Sequence, residues 1–474
     1  MTGDRASLAA VLGRLPPPWT SDALEPITQA NAGPGAPKVI VLDDDPTGTQ
    51  TVQDLPVLTT WGVKELAEEF AQPFPGFFLL TNSRSLSRRA TVTLHRQIAA
   101  NLLAAAEGRP FTIISRGDST LRGHYPAETD ALADVLGNID LTVMAPFFEA
   151  GRRLTINGVH YLAEGDSLIP VAETAFARDP VFGYRHSRLP DWIEEKTEGL
   201  IPATQVHCLP LPLLREGGPE VAGLWLRHLP KGSVCVVNAA CGADIEAFAA
   251  AAVVAELNGR RILYRTAASF AAARLGQRPQ ALLGPEAFNH SVGRGGLIIA
   301  GSFVPKTTAQ LARLRERHTV QLVELPVEAL LDPARRPAAI DHAVAAVESG
   351  LSAGQLVLLA TSRRLVTGAS DEANLDIGRQ VSEALVIVTQ RLIGTPRFLI
   401  AKGGITSSDI ATQGLGVRRA IVAGQLLPGV PVWRLGSETR FPSMPYVVFP
   451  GNVGDDEALA DAVTRLSPLL APAP

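Results

Sequence analysis

Short apolar runs that stop abruptly at polar residues are the main pattern along this chain. Residues 39–42 are Val, Ile, Val and Leu, and they lead into three carboxylates, Asp43, Asp44 and Asp45, before a Pro-Thr-Gly turn at 46–48. A run of branched aliphatic residues without polar alternation is typical of a strand buried on both faces. The pattern therefore predicts a buried strand with a strongly charged end.

The same arrangement recurs along the chain, with longer helical patterns between the runs. Predicted strands lie at residues 38–42, 55–60, 77–80, 111–114, 141–145, 234–238, 261–264, 296–300, 320–325, 355–360, 397–401, 432–435 and 446–449. Predicted helices lie at 6–12, 87–106, from 126, and at 244–258, 307–318, 339–348 and 374–393, and a last one follows the hydroxyl residues at 406–408 and continues to about 415. Strands that alternate with helices indicate an α/β fold with mostly parallel sheets flanked by helices.

The length of the chain predicts two domains, because 474 residues exceed the usual size of a single core. Glycines and prolines between 275 and 290 mark the boundary. We expect an N-terminal lead-in at 1–36, a first α/β domain at 37–280 and a second at 281–474. Residues 147–200 are predicted to be irregular and polar, as functional or mobile loops often are.

Composition narrows the classes of function. The formal net charge is −4, so the chain lacks the basic field of a nucleic-acid-binding protein or of a polybasic membrane anchor. Three cysteines without metal-type spacing favour a reducing compartment. We expect neither a signal peptide nor a transmembrane segment, because charges and prolines interrupt the apolar runs. The sequence thus predicts a cytoplasmic protein that binds small molecules, with no nucleic-acid or membrane partner.

Charged residues after the predicted strands are the chemical candidates in the first half. Three adjacent carboxylates repel one another without a ligand or cation, so Asp43, Asp44 and Asp45 favour a site over a simple turn. Arginines follow several of these strands, and guanidinium groups match carboxylates and phosphates. Each of these arginines could equally be a solvated surface residue, and the stretch 118–120 could instead cap a helix.

Glycine-containing strand ends are the candidates in the second half. Gly403 and Gly404 follow a predicted strand and precede hydroxyl residues that can cap a helix, an arrangement whose free amides attract phosphate. The spacing fits neither a Walker loop nor a dinucleotide fingerprint. Gly301 and Gly451 follow two further strands. Each loop alone could reflect turn geometry, but three of them in one sheet favour a nucleotide cleft.

In this order, the motifs resemble those of the four-carbon acid sugar kinases, from about residue 37 to 458. The motifs are Asp44-Asp45 with Thr47-Gly48, Asn82-Ser83-Arg84, Asp118-Ser119-Thr120-Leu121-Arg122-Gly123, Gly151-Arg152 with Gly158, Tyr264-Arg265-Thr266, Gly301-Ser302, Gly403-Gly404-Ile405-Thr406 and Gly451-Asn452-Val453-Gly454. The chain departs from the family pattern at Pro46, Arg116, Ile405 and Pro450, and these departures leave the exact sugar acid open.

The resemblance implies an ATP-dependent kinase that phosphorylates threonate, erythronate or their 3-oxo forms, with the sugar acid bound by the N-terminal domain and ATP by the C-terminal domain. The implied catalytic residues are Asp44, ranked first, and Asp45. The implied substrate-binding residues are Asp43, Arg84, Arg116, Asp118, Ser119, Thr120, Arg122 and Arg152. The implied ATP-binding residues are Gly301, Ser302, Gly403, Gly404, Ile405, Thr406, Gly451 and Asn452. Mg²⁺ is expected with ATP, without assigned protein ligands.

The active site is expected in a cleft between the domains, and alternation along the first strand end implies that the three carboxylates cannot all face it. A homodimer is left open. The alternative function is a non-catalytic two-domain protein that binds or senses sugar acids. It would share the arginines but would not need the glycine loops. An oxidoreductase is disfavoured because the Gly-x-Gly-x-x-Gly turn is missing.

Overall fold

The computed structural model describes residues 7–33, 35–288, 292–301, 304–362, 371–451 and 453–470, with the backbone alone for 371–375 and 469–470. The chain forms two compact units. Unit 1 contains Met1–Gly48 and Thr60–Pro279, and unit 2 contains Thr49–Thr59 and Gln280–Pro474. Over the described ranges, every helix is too short or too polar to cross a membrane.

The strands are numbered in chain order. They are β1 (Lys38–Asp43), β2 (Leu55–Leu58), β3 (Gly76–Leu80), β4 (Phe111–Arg116), β5 (Leu141–Ala145), β6 (Arg153–Ile156), β7 (Val159–Glu164), β8 (Ser167–Pro170), β9 (His207–Leu209), β10 (Ser233–Val237), β11 (Ile262–Thr266), β12 (Gly296–Ala300), β13 (Val320–Leu325), β14 (Leu356–Thr361), β15 (Leu399–Lys402), β16 (Arg419–Leu427), β17 (Val430–Leu435) and β18 (Pro445–Phe449).

The helices are numbered in the same way. They are α1 (Leu8–Leu12), α2 (Leu24–Ala32), α3 (Val63–Ala71), α4 (Arg88–Ala106), α5 (Ala127–Leu136), α6 (Leu189–Lys196), α7 (Leu211–His228), α8 (Gly242–Leu257), α9 (Ala268–Arg274), α10 (Pro305–Arg317), α11 (Val327–Leu330), α12 (Arg336–Ser352), α13 (Asp371–Arg391), α14 (Gly404–Asp409) and α15 (Ala458–Leu466). A π-helical turn, Ile410–Gly414, continues α14.

Unit 1 is organised around a parallel sheet in the order β3-β1-β4-β11-β5-β10-β9. The central strands are buried on both faces, and residues 39–42 of β1 are at most 1% exposed. This burial explains why their sequences are continuous apolar runs rather than alternating ones. Because all of these strands are parallel, their carboxyl ends lie along one edge of the sheet.

Unit 2 contains a mixed sheet in the order β13-β14-β12-β15-β18-β17-β16-β2. The strands from β13 to β18 in this order are parallel, and β17, β16 and β2 complete the sheet in antiparallel pairs. Its core packs residues of β12, β14, β15 and β18 against α10 and α15. The prediction of an α/β fold with two mostly parallel, helix-flanked sheets is confirmed.

Three details of the sequence prediction are wrong. Residues 153–170 form an antiparallel sheet of β6, β7 and β8 rather than irregular loops. Helix α10 begins at Pro305, whose fixed φ suits a first helical turn, and not at a Thr307 or Thr308 cap. The stretch 118–120 does not cap α5, because that helix begins at Ala127 after Pro126.

Candidate active site

The three carboxylates lie where β1 ends. The strand stops at Asp43, and the chain then enters a 3₁₀ segment, Pro46–Thr51. Asp43 and Asp44 are 1% and 2% exposed, whereas the side chain of Asp45 is 22% exposed. A Cβ atom added to Gly48 would lie 1.8 Å from Oδ2 of Asp43. The glycine of the Thr-Gly pair is therefore required because the Asp43 carboxylate lies against its Cα atom.

Two arginines from neighbouring strand ends bind these carboxylates. The Nη2 and Nε atoms of Arg84 lie 2.6 Å and 3.2 Å from the two oxygens of Asp44, and Nη1 lies 3.3 Å from Asp45 Oδ2. The Nη1 atom of Arg116 lies 3.0 Å from Asp43 Oδ1 and 3.7 Å from Asp44 Oδ1. Asp44 therefore lies between the two guanidinium groups, while Asp45 contacts Arg84 and Asp43 contacts Arg116. Because β1 ends at Asp43, the alternation of side chains along a strand does not extend to Asp44 and Asp45.

Burial and the neighbouring arginines together give the three carboxylates different pKa values. It raises the pKa of Asp43 to about 7, opposed by Arg116 and reinforced by Asp44 and Asp45. Burial also raises the pKa of Asp44, although Arg84 opposes it. Burial acts in the same direction on Asp45, but the Arg84 guanidinium contributes to an overall lowering of its pKa. Asp45 is consequently both the most accessible and the most acidic of the three.

A buried ion pair supports this cluster from α5 and β11. Glu128 is fully buried and accepts from Nη1 of Arg265. Ser83, next to Arg84 in the chain, donates to Glu128 Oε1 at 2.6 Å. Cβ atoms added to Gly117 or Gly123 would lie 2.4 Å and 2.7 Å from the Arg265 guanidinium. Arg265 therefore fixes the backbone on either side of the 118–122 segment.

The 118–122 segment forms a loop that carries its own ion pair. The Nε atom of Arg122 lies 2.7 Å from Asp118 Oδ2, and the Thr120 hydroxyl donates to the same oxygen. Burial alone would raise the pKa of Asp118, but Arg84 and Arg122 hold it well below its usual value. Asp118 is therefore ionised at neutral pH.

The small antiparallel sheet and the segment after it hold this loop in place. The carbonyl of Ser119 lies 2.8 Å from Nε2 of His160 on β7. The hydroxyl of Tyr184 donates to the carbonyl of Thr120 at 2.7 Å. These two bonds are made to backbone carbonyls, so they hold the loop in addition to the side-chain bonds of Arg122 and Thr120 to Asp118.

Two adjacent arginines next to this loop lie in different environments. Arg152 has a φ of 56°, and its exposed side chain donates to the Gly165 carbonyl at 2.6 Å. The Arg153 guanidinium lies 5.8 Å from the ring centroid of Phe176, and that of Arg122 lies 5.0 Å from the same centroid. Among the residues that the structure describes, no carboxylate forms an ion pair with Arg153 within 4.0 Å. Of these two arginines, the sequence motifs indicate Arg152 and not Arg153.

The glycine loops of unit 2 bring three strand ends together. Gly403, after β15, has a φ of 110°, which favours glycine, and its amide donates to the Phe449 carbonyl at 2.8 Å. Gly301 follows β12, and a Cβ atom there would lie 2.9 Å from Thr406 Oγ1. The ends of β12, β15 and β18 therefore meet around the first turn of α14.

The hydroxyl residues of this turn do not cap α14. Its N-cap is Gly403, and the Ser407 hydroxyl donates back to the carbonyls of Ala401 and Gly403. Ile405 is 64% exposed, and no neighbouring atom lies within 4 Å of a Cβ placed on Gly451. Gly404 is the first residue of α14, while Ser302 and Asn452 lie outside the described residues.

A buried lysine that sequence reasoning missed connects two of these strand ends. Lys402 is fully buried, donates to the Pro450 carbonyl at 2.7 Å and lies 4.2 Å from the centroid of Phe449. Burial, reinforced by Lys306, lowers its pKa to about 7. Lys306 donates to the Gly454 carbonyl at 2.9 Å. A lysine directly before the glycine pair was the signal in the sequence.

Within the described part of the chain, no group of three or more His, Cys, Asp or Glu side chains is arranged to hold a metal ion. The carboxylates around β1 are instead matched by arginines. We therefore assign no protein ligand to Mg²⁺.

Comparisons with known proteins match both halves. A family model described as a sugar-binding N-terminal domain matches residues 39–274, and one described as a nucleotide-binding C-terminal domain matches residues 297–459. The D-erythronate kinase of Heliobacterium modesticaldum is 26% identical over 455 residues, which cover 90% of this chain and 97% of the relative. The D-threonate kinase of Bordetella bronchiseptica is 27% identical over 411 residues, covering 81% and 95%. The chain belongs to the four-carbon acid sugar kinase family.

This four-carbon acid sugar kinase also resembles the 3-oxo-tetronate kinase of Cupriavidus necator, at 26% identity over 396 residues covering 81% of this chain and 84% of the relative. A solved structure from Salmonella typhimurium LT2 superimposes with a TM-score of 0.65 at 18% identity, covering 90% of this chain and 98% of that one. A Haemophilus influenzae protein gives a TM-score of 0.60 at 18% identity, covering 90% and 100%. The structures support the fold, and the family resemblance is confirmed.

Proposed function

We propose that the protein transfers the γ-phosphoryl group of ATP to the terminal hydroxyl of a four-carbon sugar acid of the erythronate, threonate or 3-oxo-tetronate type. One observation carries the proposal. The arginine and carboxylate cluster lies within the sequence that matches a sugar-binding domain, and the glycine loops lie within the sequence that matches a nucleotide-binding domain. A sugar-acid sensor would use the first feature but not the second.

The carboxylate of the sugar acid is assigned to Arg153, with Arg122 beside it. A substrate carboxylate needs a cation that the protein has not already neutralised, and Arg153 makes no ion pair within 4.0 Å in the part of the chain that the structure describes. Arg84, in contrast, is occupied by Asp44 and Asp45. We therefore assign Arg84 a positioning role, in which it orients the two carboxylates.

The acceptor hydroxyl is assigned to Asp45. A general base must reach the hydroxyl and be ionised. Asp45 meets both conditions, since its side chain is 22% exposed and its pKa is lowered. Asp44 is buried with both oxygens bound by Arg84, so its role in this proposal is to hold Arg84. Phosphoryl transfer depends mainly on alignment and charge stabilisation, so a carboxylate of low pKa suffices to orient the hydroxyl.

The phosphates of ATP are assigned to the loops after β12, β15 and β18. The first amides of α14 have no acceptor within the helix, and Gly403 lets the backbone approach an anion closely. Lys402 fixes the loop after β18 through the Pro450 carbonyl. Mg²⁺ in such sites is commonly held by the substrate phosphates and water, so we propose that it arrives with ATP.

A coupled assay of ADP release tests this proposal. Purified protein with Mg-ATP is offered D-erythronate, D-threonate or 3-oxo-tetronate, and the phosphorylated carbon is identified by NMR. We expect ADP release with at least one acid and a phosphate on its terminal oxygen. Asp45→Asn should lower kcat by about 100- to 10,000-fold in a folded protein. Binding of an acid without ADP release would instead support the sensor function.

A further inference from the structure

A cavity of about 490 Å³ lies in unit 1 at the edge of the sheet opposite the carboxylate cluster. Phe111 and Ile262, the first residues of β4 and β11, line it, whereas Arg116 and Arg265 stand at the far ends of the same strands. Further walls come from α2, from the carboxyl-terminal ends of α4, α5, α8 and α9, and from the loops that precede β1, β4, β5 and β11. The cavity is therefore separate from the proposed sugar-acid site.

Apolar side chains line both the interior and the exposed rim of the cavity. Ile113 and Leu263 of the sheet are 3% and 1% exposed. Leu103 on α4 and Leu257 on α8 are 42% and 73% exposed, which is unusual for leucines that line the same concave surface. A volume of this size lies in the range of small-molecule sites, which are mostly apolar with a few polar groups.

The polar groups of the cavity are mainly cationic. Four arginines line it, Arg109, Arg260, Arg261 and Arg274, against one carboxylate, Glu256. Glu256 is already bound, with Arg274 Nη2 2.5 Å from Oε2 and the Tyr264 hydroxyl 2.6 Å from Oε1. Arg109 is matched as well, because its Nη2 atom lies 3.5 Å from Oε2 of Glu107 outside the cavity. Arg260 and Arg261 are the two arginines of the cavity that form no ion pair within 4.0 Å in the described part of the chain, so the cavity keeps a positive charge.

Helix capping explains only part of this arginine cluster. Arg260 donates to the Leu229 carbonyl, and Arg261 Nη2 lies 3.5 Å from the Leu136 carbonyl. The Nε atoms of Arg260 and Arg274, however, are buried and have no hydrogen-bond partner among the described residues. Arg274 is only 1% exposed, and its Nη1 and Nη2 atoms donate to Asn31 and Glu256. Its Nε atom is the one without a partner, and an unpartnered donor in such a place is costly unless a ligand binds it.

We propose that this cavity binds an organic anion, a carboxylate or phosphate that carries an apolar body. The arginines would bind the anionic group, and the apolar body would contact Ile113, Leu263 and the exposed leucines. This inference does not depend on the kinase reaction, because every residue involved lies away from the assigned substrate groups.

Calorimetry on the full-length protein with three probes tests the site. Octanoate and octyl phosphate carry the two candidate anionic groups, and octanol carries the same chain without charge. We expect saturable binding of at least one anion, with octanol weaker by about tenfold or more. The tighter anion identifies the preferred group. Equal binding of octanol, or no binding of either anion below its micelle concentration, overturns the proposal.

Variants of one exposed leucine locate the binding. Leu103→Glu should weaken binding of the anion by about tenfold, because a carboxylate at the cavity repels it. Leu103→Lys should retain the binding. Leu224→Glu, on α7 outside the cavity, is the matched control and should behave as the wild type. Equal affinity in Leu103→Glu and Leu224→Glu would contradict the assignment.

Discussion

At the scale of single residues, Arg153 is the proposed ligand of the substrate carboxylate, whereas its neighbour Arg152 is an exposed surface residue. Arg153→Gln should raise KM for the sugar acid by about 10- to 150-fold, because a charge-assisted contact contributes ~1.5–3 kcal/mol. KM for ATP should not change. Arg152→Gln is the matched control, since its exposed side chain donates to the Gly165 carbonyl and interacts with Asp166 in the turn between β7 and β8, and it should behave as the wild type. Steady-state kinetics of both variants make the comparison, and equal effects on KM would contradict the assignment.

The pKa of Asp43 predicts a pH dependence of stability. The folded state keeps a proton on Asp43 up to about pH 7, whereas its usual pKa is 3.8. Between these values the folded state binds more protons than the unfolded state, so the free energy of unfolding falls as pH rises, by up to about 4 kcal/mol. Above pH 7 this contribution is lost.

Asp43→Asn removes the titrating carboxyl group while keeping the shape of the side chain. Urea unfolding of both proteins across the pH range should show the wild type losing stability relative to Asp43→Asn between about pH 4 and pH 7. Parallel stability curves would show that Asp43 does not hold a proton in the folded state.

The sequence identified many of these residues but not their contacts. Asp43, Asp44, Asp45, Arg84 and Arg116 were named as candidates because they follow apolar runs. That Arg84 binds two of the carboxylates depends on the order of strands in the sheet, which local sequence does not contain. Arg153 was missed because the start of β6 was not recognised, so the orientation of neighbouring side chains was unknown.

At the scale of elements, apolar strands were easier to predict than short exposed ones. The β1 and β12 runs are continuous and buried, and both were found. Strands β6 to β8 are short and partly exposed, so their apolar pattern is weak. Asn157 and Gly158 form the turn between β6 and β7 with φ values of 52° and 76°. An Asn-Gly pair is a strong hairpin signal and could have revealed this sheet.

The hydrogen bond from Lys402, at the end of β15, to the Pro450 carbonyl after β18 predicts that Lys402 supports nucleotide binding. Lys402→Met keeps the apolar stem but leaves the buried Pro450 carbonyl without its donor, at a cost of about 1–3 kcal/mol. We expect calorimetry to show weaker binding of Mg-ATP by about tenfold, with the affinity for the sugar acid unchanged in a folded protein. Unchanged affinity for Mg-ATP would exclude a role for Lys402 in the nucleotide site.

At the scale of the whole molecule, the two units are α/β assemblies, but the chain does not divide between them at a single point. Residues 49–59 belong to unit 2, because β2 pairs with β16, more than 350 residues later in the sequence. No local signal in the sequence predicts so distant an antiparallel pair, whereas a boundary at 275–290 is predicted from local composition, the glycines and prolines of that stretch.

The central claim is that the sugar acid binds to unit 1 and the nucleotide to unit 2. Amide hydrogen exchange measured with each ligand alone tests it most directly. A four-carbon sugar acid should slow exchange at residues 43–48, 118–123 and 153, and Mg-ATP should slow it at 301 and at 403–406. The opposite pattern, with Mg-ATP protecting the ends of β1 and β4 and the acid protecting α14, would contradict the account.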